Sequence, residues 1–399
     1  MTNTVYVVTN RPRVLMGGFG PPPLLPAYDA LSFGTASVEP SADPAVAGTL
    51  DPGGLPGSDP ATSPEPTQAL IAFAKTWLNA AQAAGTLPLL SVHGYDYTYA
   101  DAVVRTGDVG AWYAAAQPPA LFTPLLFTWP SMEGLSTDNY LADRGRAQAS
   151  AHAFARTIVA IDQAWQGSGN PPILLLAHSM GNFALDNALD LLADTGHPMS
   201  ANLFAQVLLA GPDVDVDTFA SGGMRLLPTI AAATTVCVNR QDFALNLSSH
   251  ILGKPRLGKD GPDNAAALPA QVSVVDYSMA AAVHGQTPPG DTGPDYWGHQ
   301  YYRTNERVRG DMAQILRNIA PANVTGRIPG TVLAQSDPSA IPGRLYVLPF
   351  QQVLQQLASI APPDLGGGDA PPQTPPPAAP AAAPAAAPRR KAARKRVAT

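Results

Sequence analysis

Apolar runs about as long as β-strands recur along the chain at intervals that leave room for helices. ILLLA at 173–177 is continuously apolar, which is typical of a strand buried on both faces of a sheet. Parallel neighbouring strands need a crossover connection, commonly a helix, so the alternation predicts βαβ units and a mostly parallel sheet. The predicted strands are 88–92, 123–128, 172–177, 203–210, 234–239 and 271–277.

Helical patterns fill the spaces between these strands. They are strongest at 138–166, 181–194 and 305–319, and a further helix is predicted near 67–84. Two short β-like runs near the start, 5–9 and 33–38, are predicted to pair as an N-terminal edge hairpin. Residues 40–66 are rich in Pro, Gly, Ser and Asp, so we expect an irregular surface loop there. The predicted fold class is α/β, with helices flanking a central sheet.

The domain organisation follows from an abrupt change in composition after Ile360. Residues 1–361 are expected to form one large domain, because 45% of the 399 residues are hydrophobic and a core of that size is easily built. Residues 362–399 are expected to form a disordered Pro/Ala-rich linker and a basic tail. Six basic side chains at 389–396 predict a solvated tail or, alternatively, contact with an anionic surface or nucleic acid.

The N-terminal sequence and the cysteine content give limited information about where the protein is located. The N-terminus lacks the basic start, apolar stretch and cleavage site of a secretory signal, and no apolar run reaches about 18 residues. We therefore expect a soluble, cytoplasmic protein without a membrane span. Cys237, the single cysteine, lies in an apolar run and is interpreted as a small buried side chain.

A candidate nucleophile stands where the apolar strand 172–177 runs into a helical pattern. The sequence there is Ala177-His178-Ser179-Met180-Gly181. Small residues two positions before and after the serine allow a sharp strand-to-helix turn that lifts the hydroxyl clear of the sheet. Alanine replaces the usual first glycine, which weakens the formal motif. The context nevertheless predicts that Ser179 is catalytic and that His178 and Gly181 support the turn.

A serine hydroxyl needs an imidazole base to become nucleophilic near neutral pH, and in this kind of fold the histidine follows the last strand. His284 and His299 both lie in the long loop after 271–277. We favour His299, because it immediately precedes the final helix among aromatic residues that could exclude water. His284 remains the alternative.

The imidazole in turn needs a carboxylate, which should follow an intermediate strand. Asp242 comes a short turn after strand 234–239 and is the favoured acid. The GPDVDVD segment after the preceding strand supplies Asp213, Asp215 and Asp217 as competitors. Helix N-terminal carboxylates would explain those three equally well, with Asp213 the main alternative acid.

The negative oxygen of a tetrahedral intermediate needs hydrogen-bond donors. The backbone N–H of Met180 is one candidate, and the N–H of Tyr95 after strand 88–92 is the other. Gly94 would permit close approach of this loop, and His93 is interpreted as a structural hydrogen-bonding residue. No cofactor is expected. Neither a metal-binding motif nor a phosphate-binding glycine loop is recognisable, so no metal site is predicted.

Several motifs in one order resemble a bacterial α/β-hydrolase family of uncharacterised esterase/lipase-like proteins, over about residues 4–319. They are VYVVTNR, LSFGTASV, SVHGYDYTYADA, FTWPS, a helix with Tyr140, Asp143 and Arg144, LLAHSMGN, VLLAGPDVD, VNRQDFAL and GHQYY. The resemblance implies the α/β-hydrolase fold, serine-hydrolase activity on acyl esters, and Ser179, Asp242 and His299 as its catalytic residues.

The function expected from these observations is hydrolysis of a small-molecule carboxylic ester through an acyl-enzyme intermediate. An acyltransferase or thioesterase would use the same residues, because those reactions differ only in the leaving group and the acyl acceptor. A non-catalytic hydrolase-fold module that binds through its basic tail is the alternative from a different class.

Overall fold

The computed structural model describes residues 2–13, 30–41, 47–60, 65–132, 134–169, 171–281, 297–330 and 344–349. The chain divides into two units, Met1–Gln356 and Leu357–Thr399, and every described residue belongs to the first. The predicted domain end at 361, the linker and the basic tail lie outside these ranges and stay predictions. His284 also lies outside them.

An 11-stranded sheet runs through the described part of the chain in the order β10-β11-β9-β8-β7-β6-β4-β5-β1-β2-β3. Its strands are β1 (Asn3–Thr9), β2 (Leu31–Glu39), β3 (Thr49–Asp59), β4 (Leu87–Val92), β5 (Phe122–Thr128), β6 (Ile173–His178), β7 (Phe204–Ala210), β8 (Thr234–Val238), β9 (Val272–Asp276), β10 (Ile328–Pro329) and β11 (Leu345–Val347). The six strands predicted from apolar runs are β4 to β9, and their pairings with one another are all parallel.

The helices are α1 (Gln68–Ala84), α2 (Tyr99–Ala114), α3 (Thr137–Ala149), α4 (Ala151–Gln166), α5 (Met180–Asp194), α6 (Thr218–Ser221), α7 (Leu227–Ile230), α8 (Phe243–Leu252), α9 (Leu257–Asp260), α10 (Ser278–Ala281), α11 (Tyr301–Thr304) and α12 (Glu306–Leu316). They cover both faces of the sheet. Strand β6 shows why its sequence is apolar throughout: Leu175 packs with α1, α4 and α5, whereas Leu174 and Leu176 pack with α2 and α12.

The predicted helix 138–166 is wrong in one respect, because it is two helices that meet at Ser150. The Ser150 hydroxyl donates to the Arg146 carbonyl oxygen over 2.8 Å and accepts from the side-chain amide of Asn10 over 2.8 Å. Ser150 ends α3 and also precedes the first residue of α4. A buried serine that bonds backward along its own helix competes with the regular backbone pattern, and such residues commonly bend helices.

The N-terminal edge hairpin is confirmed, since β1 and β2 pair antiparallel and β1 joins the sheet beside β5. The irregular loop predicted for 40–66 is wrong in part, because β3 occupies 49–59 and forms the outer edge of the sheet. Its pairing with β2 shifts register between Phe33 and Ser37. An outermost strand can hold a proline such as Pro56 because one of its sides has no ladder to maintain.

The sheet also continues past 271–277, which the sequence indicated as the last strand. Strand β11 pairs parallel to β9, and β10 pairs antiparallel to β11. Strand β10 has two residues and β11 has three, too few for an alternating or continuous apolar pattern to reveal them. Because β4, β6, β7, β8 and β9 run parallel, their carboxyl ends lie along one edge of the sheet, where the predicted site residues follow them.

Candidate active site

Ser179 occupies the sharp turn between β6 and α5. Its backbone has φ 54° and ψ −127°, a conformation that L-residues rarely adopt and that persists only where the surroundings enforce it. The Ser179 N–H donates to the Ala210 carbonyl over 3.0 Å. Gly181 explains the small residue two positions on, because a Cβ atom there would lie 2.4 Å from the His93 carbonyl oxygen. Ala177, in place of the usual glycine, is fully buried in the strand.

The turn is also held by a side chain that sequence reasoning missed. Asn182 donates its amide to the carbonyl oxygens of Ala177 over 3.0 Å and Ser179 over 3.2 Å. Met180 is the first residue of α5, so its N–H has no acceptor within the helix and is available to an external group. A polar residue three positions after the serine was the signal available in the sequence, but the direction of its side chain depends on the turn.

Asp242 and His299 are brought together by the structure. The Asp242 Oδ2 atom lies 2.6 Å from His299 Nδ1, although the residues are 57 positions apart. Asp242 Oδ1 accepts the N–H of Leu245 over 2.9 Å, which makes the same carboxylate the N-cap of α8. Burial raises the pKa of Asp242, and the neighbouring His299 opposes that rise. A buried carboxylate hydrogen-bonded to an imidazole fixes the imidazole tautomer.

The His299 ring also lies against the backbone that supports Ser179. A Cβ atom on Gly211 would be 3.4 Å from His299 Cε1. Gly211 directly follows Ala210, the residue whose carbonyl holds the Ser179 N–H. The glycine has φ 49°, a left-handed conformation that suits this close approach. The imidazole and the serine are therefore neighbours at the edge of the sheet.

Asp213, the alternative acid, has different partners. Its two carboxylate oxygens accept the hydroxyls of Tyr140 over 2.7 Å and Ser248 over 2.6 Å. Arg144 lies 3.6 Å from the same carboxylate. This buried network joins α3, the turn after β7 and α8. The sequence analysis named Tyr140 only within the motifs of the family resemblance and predicted no role for it. Ser248 was missed because nothing in its local sequence indicates its contacts.

The helix N-terminus interpretation of the GPDVDVD carboxylates holds for one of the three. Asp217 occupies the N-cap position of α6, without a side-chain capping bond. Asp215 instead accepts from Lys254 over 2.9 Å and pairs closely with Arg256. Asp213 belongs to the network with Tyr140, so the interpretation is wrong for Asp213 and Asp215.

The predicted oxyanion loop lies directly beside the serine. A Cβ atom on Gly94 would come 2.9 Å from Ser179 Cβ, a distance that side chains essentially never show, so only glycine fits without movement. Tyr95 is the next residue, and its side chain and that of Ser179 border the same cavity. The Tyr95 hydroxyl donates to the Gly134 carbonyl over 2.6 Å, which ties this loop to the segment before α3.

His93 is hydrogen-bonded at both ring nitrogens. Its Nδ1 lies 2.8 Å from the Gly94 carbonyl oxygen, which can only accept, so Nδ1 carries the proton. Its Nε2 then accepts from the Thr128 hydroxyl over 2.9 Å, while that hydroxyl accepts from Arg11 Nε over 3.0 Å. Burial and the nearby Arg11 lower the pKa of His93 to about 3. The imidazole is therefore neutral and held in one tautomer.

His178, the residue before the serine, also has a lowered pKa. Burial is the main cause, and the adjacent His299 adds to it, so the imidazole is held neutral. Its Nε2 lies 3.2 Å from the His299 carbonyl oxygen and can donate to it. The ring packs 4.7 Å from that of His299 and 4.5 Å from that of Tyr302, measured between centroids. His178 thus connects the serine turn to the backbone of His299.

A cavity of about 370 Å³ opens over these groups. Its walls include Ser179, His178, His299, Tyr95 and Asp213. Further wall residues come from α8, from α2, α3 and α11, and from the segments just before those three helices: Asp96, Tyr97, Asp101, Arg105, Leu135, Ser136, Thr137, Tyr140, Ala244, Leu245, Leu247, Ser248, Ile251, Trp297, Gln300 and Arg303. The volume is that of a small-molecule site.

The described ranges contain neither a metal-binding cluster nor a membrane-spanning helix. Across those ranges, no group of three or more His, Cys, Asp or Glu residues is arranged to hold a metal ion. Among the helices described, none has both the length and the apolar character needed to cross a bilayer.

The mostly parallel sheet flanked by helices is the architecture of an α/β-hydrolase, and the serine in a strained turn between β6 and α5 agrees with it. The sequence matches the family model described as alpha/beta hydrolase of unknown function (DUF900) over residues 72–285. The chain belongs to this family. The matched region contains Ser179 and Asp242 and ends before His299. A search of curated proteins found no match to this sequence.

Proposed function

We propose that this protein is a serine hydrolase that acts on carboxylic acyl esters through Ser179, His299 and Asp242. The observation that carries the proposal is the 2.6 Å contact between Asp242 and His299, in a cavity whose wall includes the strained Ser179. A nucleophile, a base and an acid that orients the base are the three parts that serine catalysis requires.

The tautomer of His299 determines the direction of proton transfer. In the neutral imidazole with Nδ1 donating to Asp242, Nε2 carries no proton and can accept the one that Ser179 releases during attack. Ser179 Oγ then forms a bond to the ester carbonyl carbon, and the carbonyl electrons move to oxygen. When the tetrahedral intermediate collapses, the C–O bond to the alcohol breaks and His299 protonates the departing oxygen.

Water completes the reaction by the same route in reverse. His299 takes a proton from water, the hydroxide attacks the acyl carbon, and the serine ester bond breaks with return of the proton to Ser179. Both tetrahedral intermediates carry a negative oxygen, for which the Met180 and Tyr95 N–H groups are the proposed donors.

His93 is a positioning residue in this scheme. The Gly94 carbonyl that accepts from His93 and the Tyr95 N–H belong to one peptide unit, which is planar with the two groups on opposite sides. The hydrogen bond from His93 therefore sets the direction of the proposed Tyr95 donor. Thr128 and Arg11 fix His93 from behind.

A fluorophosphonate probe tests the nucleophile, because it reacts covalently with activated serine hydroxyls. We expect the wild-type protein to be labelled and Ser179→Ala to lose labelling completely. Ser221→Ala is the matched control, since Ser221 is exposed in α6 and should leave labelling unchanged. Equal labelling of wild type and Ser179→Ala would refute the assignment, and no labelling of either would favour a non-catalytic module that binds through 389–396.

The reaction products identify the acyl acceptor, because hydrolysis and acyl transfer would use the same residues. Incubation with p-nitrophenyl acetate and an added alcohol, amine or thiol should yield free acetate as the main acyl product. A dominant transfer product would instead assign an acyltransferase to the same residues, and a strong preference for acyl thioesters would assign a thioesterase.

A further inference from the structure

Large hydrophobic side chains are exposed at the mouth of the cavity. Of the five that are exposed in the described part of the chain, four come from two short segments. Leu135 lies two residues before α3 and Leu141 lies within it, at 63% and 46% exposure, and Phe243 and Leu247 belong to α8, at 56% and 42%. Exposed apolar side chains that cluster, rather than being scattered singly, mark a binding surface.

Three of these four side chains, with Trp297, form what we name the apolar rim: Leu135, Phe243, Leu247 and Trp297. Leu135, Leu247 and Trp297 line the cavity itself, and the Phe243 ring lies 5.2 Å from that of Trp297. The rim is thus continuous with the space over Ser179 rather than a separate face of the protein.

Helix α8 carries this apolar surface inward. Ala244, Leu247 and Ile251 all line the cavity, and their spacing of three and four residues places them along one side of a helix. Another part of the wall differs, since α2 and α11 contribute the charged side chains of Arg105 and Arg303. The cavity is therefore amphipathic, and its apolar side lies on α8.

We infer that this cavity takes esters with an extended, unbranched aliphatic chain, which lies along α8 and under the apolar rim. The inference rests on the proposed function and names its substrate class. A flexible alkyl chain fits a surface made of leucine, isoleucine, alanine and tryptophan side chains, because it buries their apolar area without leaving polar groups unpaired. The chain can belong to the acyl group or to the alcohol.

The helix that would hold the chain is capped by Asp242, whose other oxygen holds His299. The amino end of α8 and the imidazole thus share one carboxylate. A chain seated on α8 contacts the same structural unit that orients the base, so chain length should affect kcat as well as KM.

Two substrate series test the inference on the full-length protein. p-Nitrophenyl esters from acetate to decanoate vary the acyl chain, and alkyl acetates of the same lengths vary the alcohol. In one series kcat/KM should rise about fourfold for each added methylene until the cavity is filled. A flat profile in both series, with turnover that still requires Ser179, would overturn the inference and leave the proposed function standing.

Leu247→Asp places a carboxylate in the path of the chain. The ratio of kcat/KM for the octanoyl ester to that for the acetyl ester should fall about tenfold or more, because the carboxylate would lose hydration beside the chain. Leu121→Asp is the matched control, since Leu121 is 57% exposed at the amino end of β5, away from the catalytic edge. Equal ratios in the two variants would contradict the inference.

A second variant and a binding measurement cover the other outcomes. Ala244→Phe adds bulk to the wall and should move the preferred chain to a shorter length. In Ser179→Ala, binding of decanoate should change tryptophan fluorescence, and Trp297→Phe should remove that change. If no ester is turned over in a Ser179-dependent way, the proposed function fails. Decanoate binding that depends on Leu247 would then still support the chain site, and its absence would refute both.

Discussion

At the base of the cavity the backbone itself touches the reactive groups, whereas at the mouth large apolar side chains stand in water. Gly94, Gly181 and Gly211 each bring a neighbouring chain segment so close that a Cβ atom would clash with or contact a site residue. The apolar rim instead exposes about half of each leucine and phenylalanine side chain. The proposed catalysis requires fixed atomic positions at the base, whereas the apolar rim leaves room for aliphatic substrate chains of varied length.

The two regions also differ in how their polar groups are used. At the base, Asp242, His299 and His93 are buried and each is hydrogen-bonded to a defined partner. At the rim, the apolar side chains have no such partners to lose, so substitutions there should alter preference more than mechanism.

Asp242→Asn should reduce kcat about 10³- to 10⁴-fold in ester hydrolysis, because an amide N–H facing His299 forces the unproductive tautomer. Asparagine is as good an N-cap as aspartate, so α8 should stay intact. Steady-state kinetics with matched circular dichroism spectra measure the effect without confusing it with unfolding.

Asp213→Asn is the control for that substitution. Asp213 bonds to Tyr140 and Ser248 rather than to His299, so its loss should cost far less kcat than the loss of Asp242. The reverse order, with Asp213→Asn the more damaging, would assign the acid to Asp213 and contradict the role of the 2.6 Å contact.

Gly94→Ala should lower kcat about 10- to 100-fold, with a smaller effect on KM. The new Cβ atom would lie 2.9 Å from Ser179 Cβ and 3.2 Å from His178 Nδ1, so the loop or the serine must move. Displacement of the Tyr95 N–H removes a donor needed mainly in the transition state, where one such donor is worth about 10²- to 10³-fold.

Gly145→Ala is the matched glycine substitution outside the close packing at the base. Gly145 lies exposed within α3, and a Cβ atom there meets nothing within 4 Å. Since alanine favours helix by about 1 kcal/mol over glycine, this variant should be slightly more stable and keep its kcat. If both glycine variants lost activity alike, close packing at the base would not be the cause.

The sequence allowed prediction of the sheet and of the base of the site for the same physical reason. Strands buried on both faces need continuous apolar runs, and the strand-to-helix turn at Ser179 needs small neighbours, so both leave local patterns. The proposed roles of Asp242 and His299 depended on chain order, which restricts candidates to a few loops. Their contact across 57 residues was an expectation until the fold placed β8 beside β7.

The rim and the edges of the fold could not be predicted in the same way. The apolar spacing of α8 indicates a helix with one apolar side, but spacing alone does not tell whether that side meets the core or an open cavity. Strand β3 was missed because its Pro and Gly residues favour loops unless a partner strand is present. The network of Tyr140, Asp213 and Ser248 joins three separate elements and leaves no local signal.

The smallest effect concerns His93 and the dependence of stability on pH. Burial lowers the pKa of His93 to about 3, against about 6.5 in an unfolded chain. Below pH 6.5 the unfolded chain binds a proton that the folded chain excludes, so the free energy of unfolding falls as pH decreases from 6.5 toward 3. Between pH 7 and pH 5 this effect lowers the free energy of unfolding by about 2 kcal/mol.

Urea unfolding at the two pH values measures the effect. In His93→Asn the free energy of unfolding should fall by about 2 kcal/mol less than in wild type over this interval. In His152→Asn, at an exposed histidine of α4, it should fall as much as in wild type. Identical losses in all three proteins would contradict a buried, neutral His93.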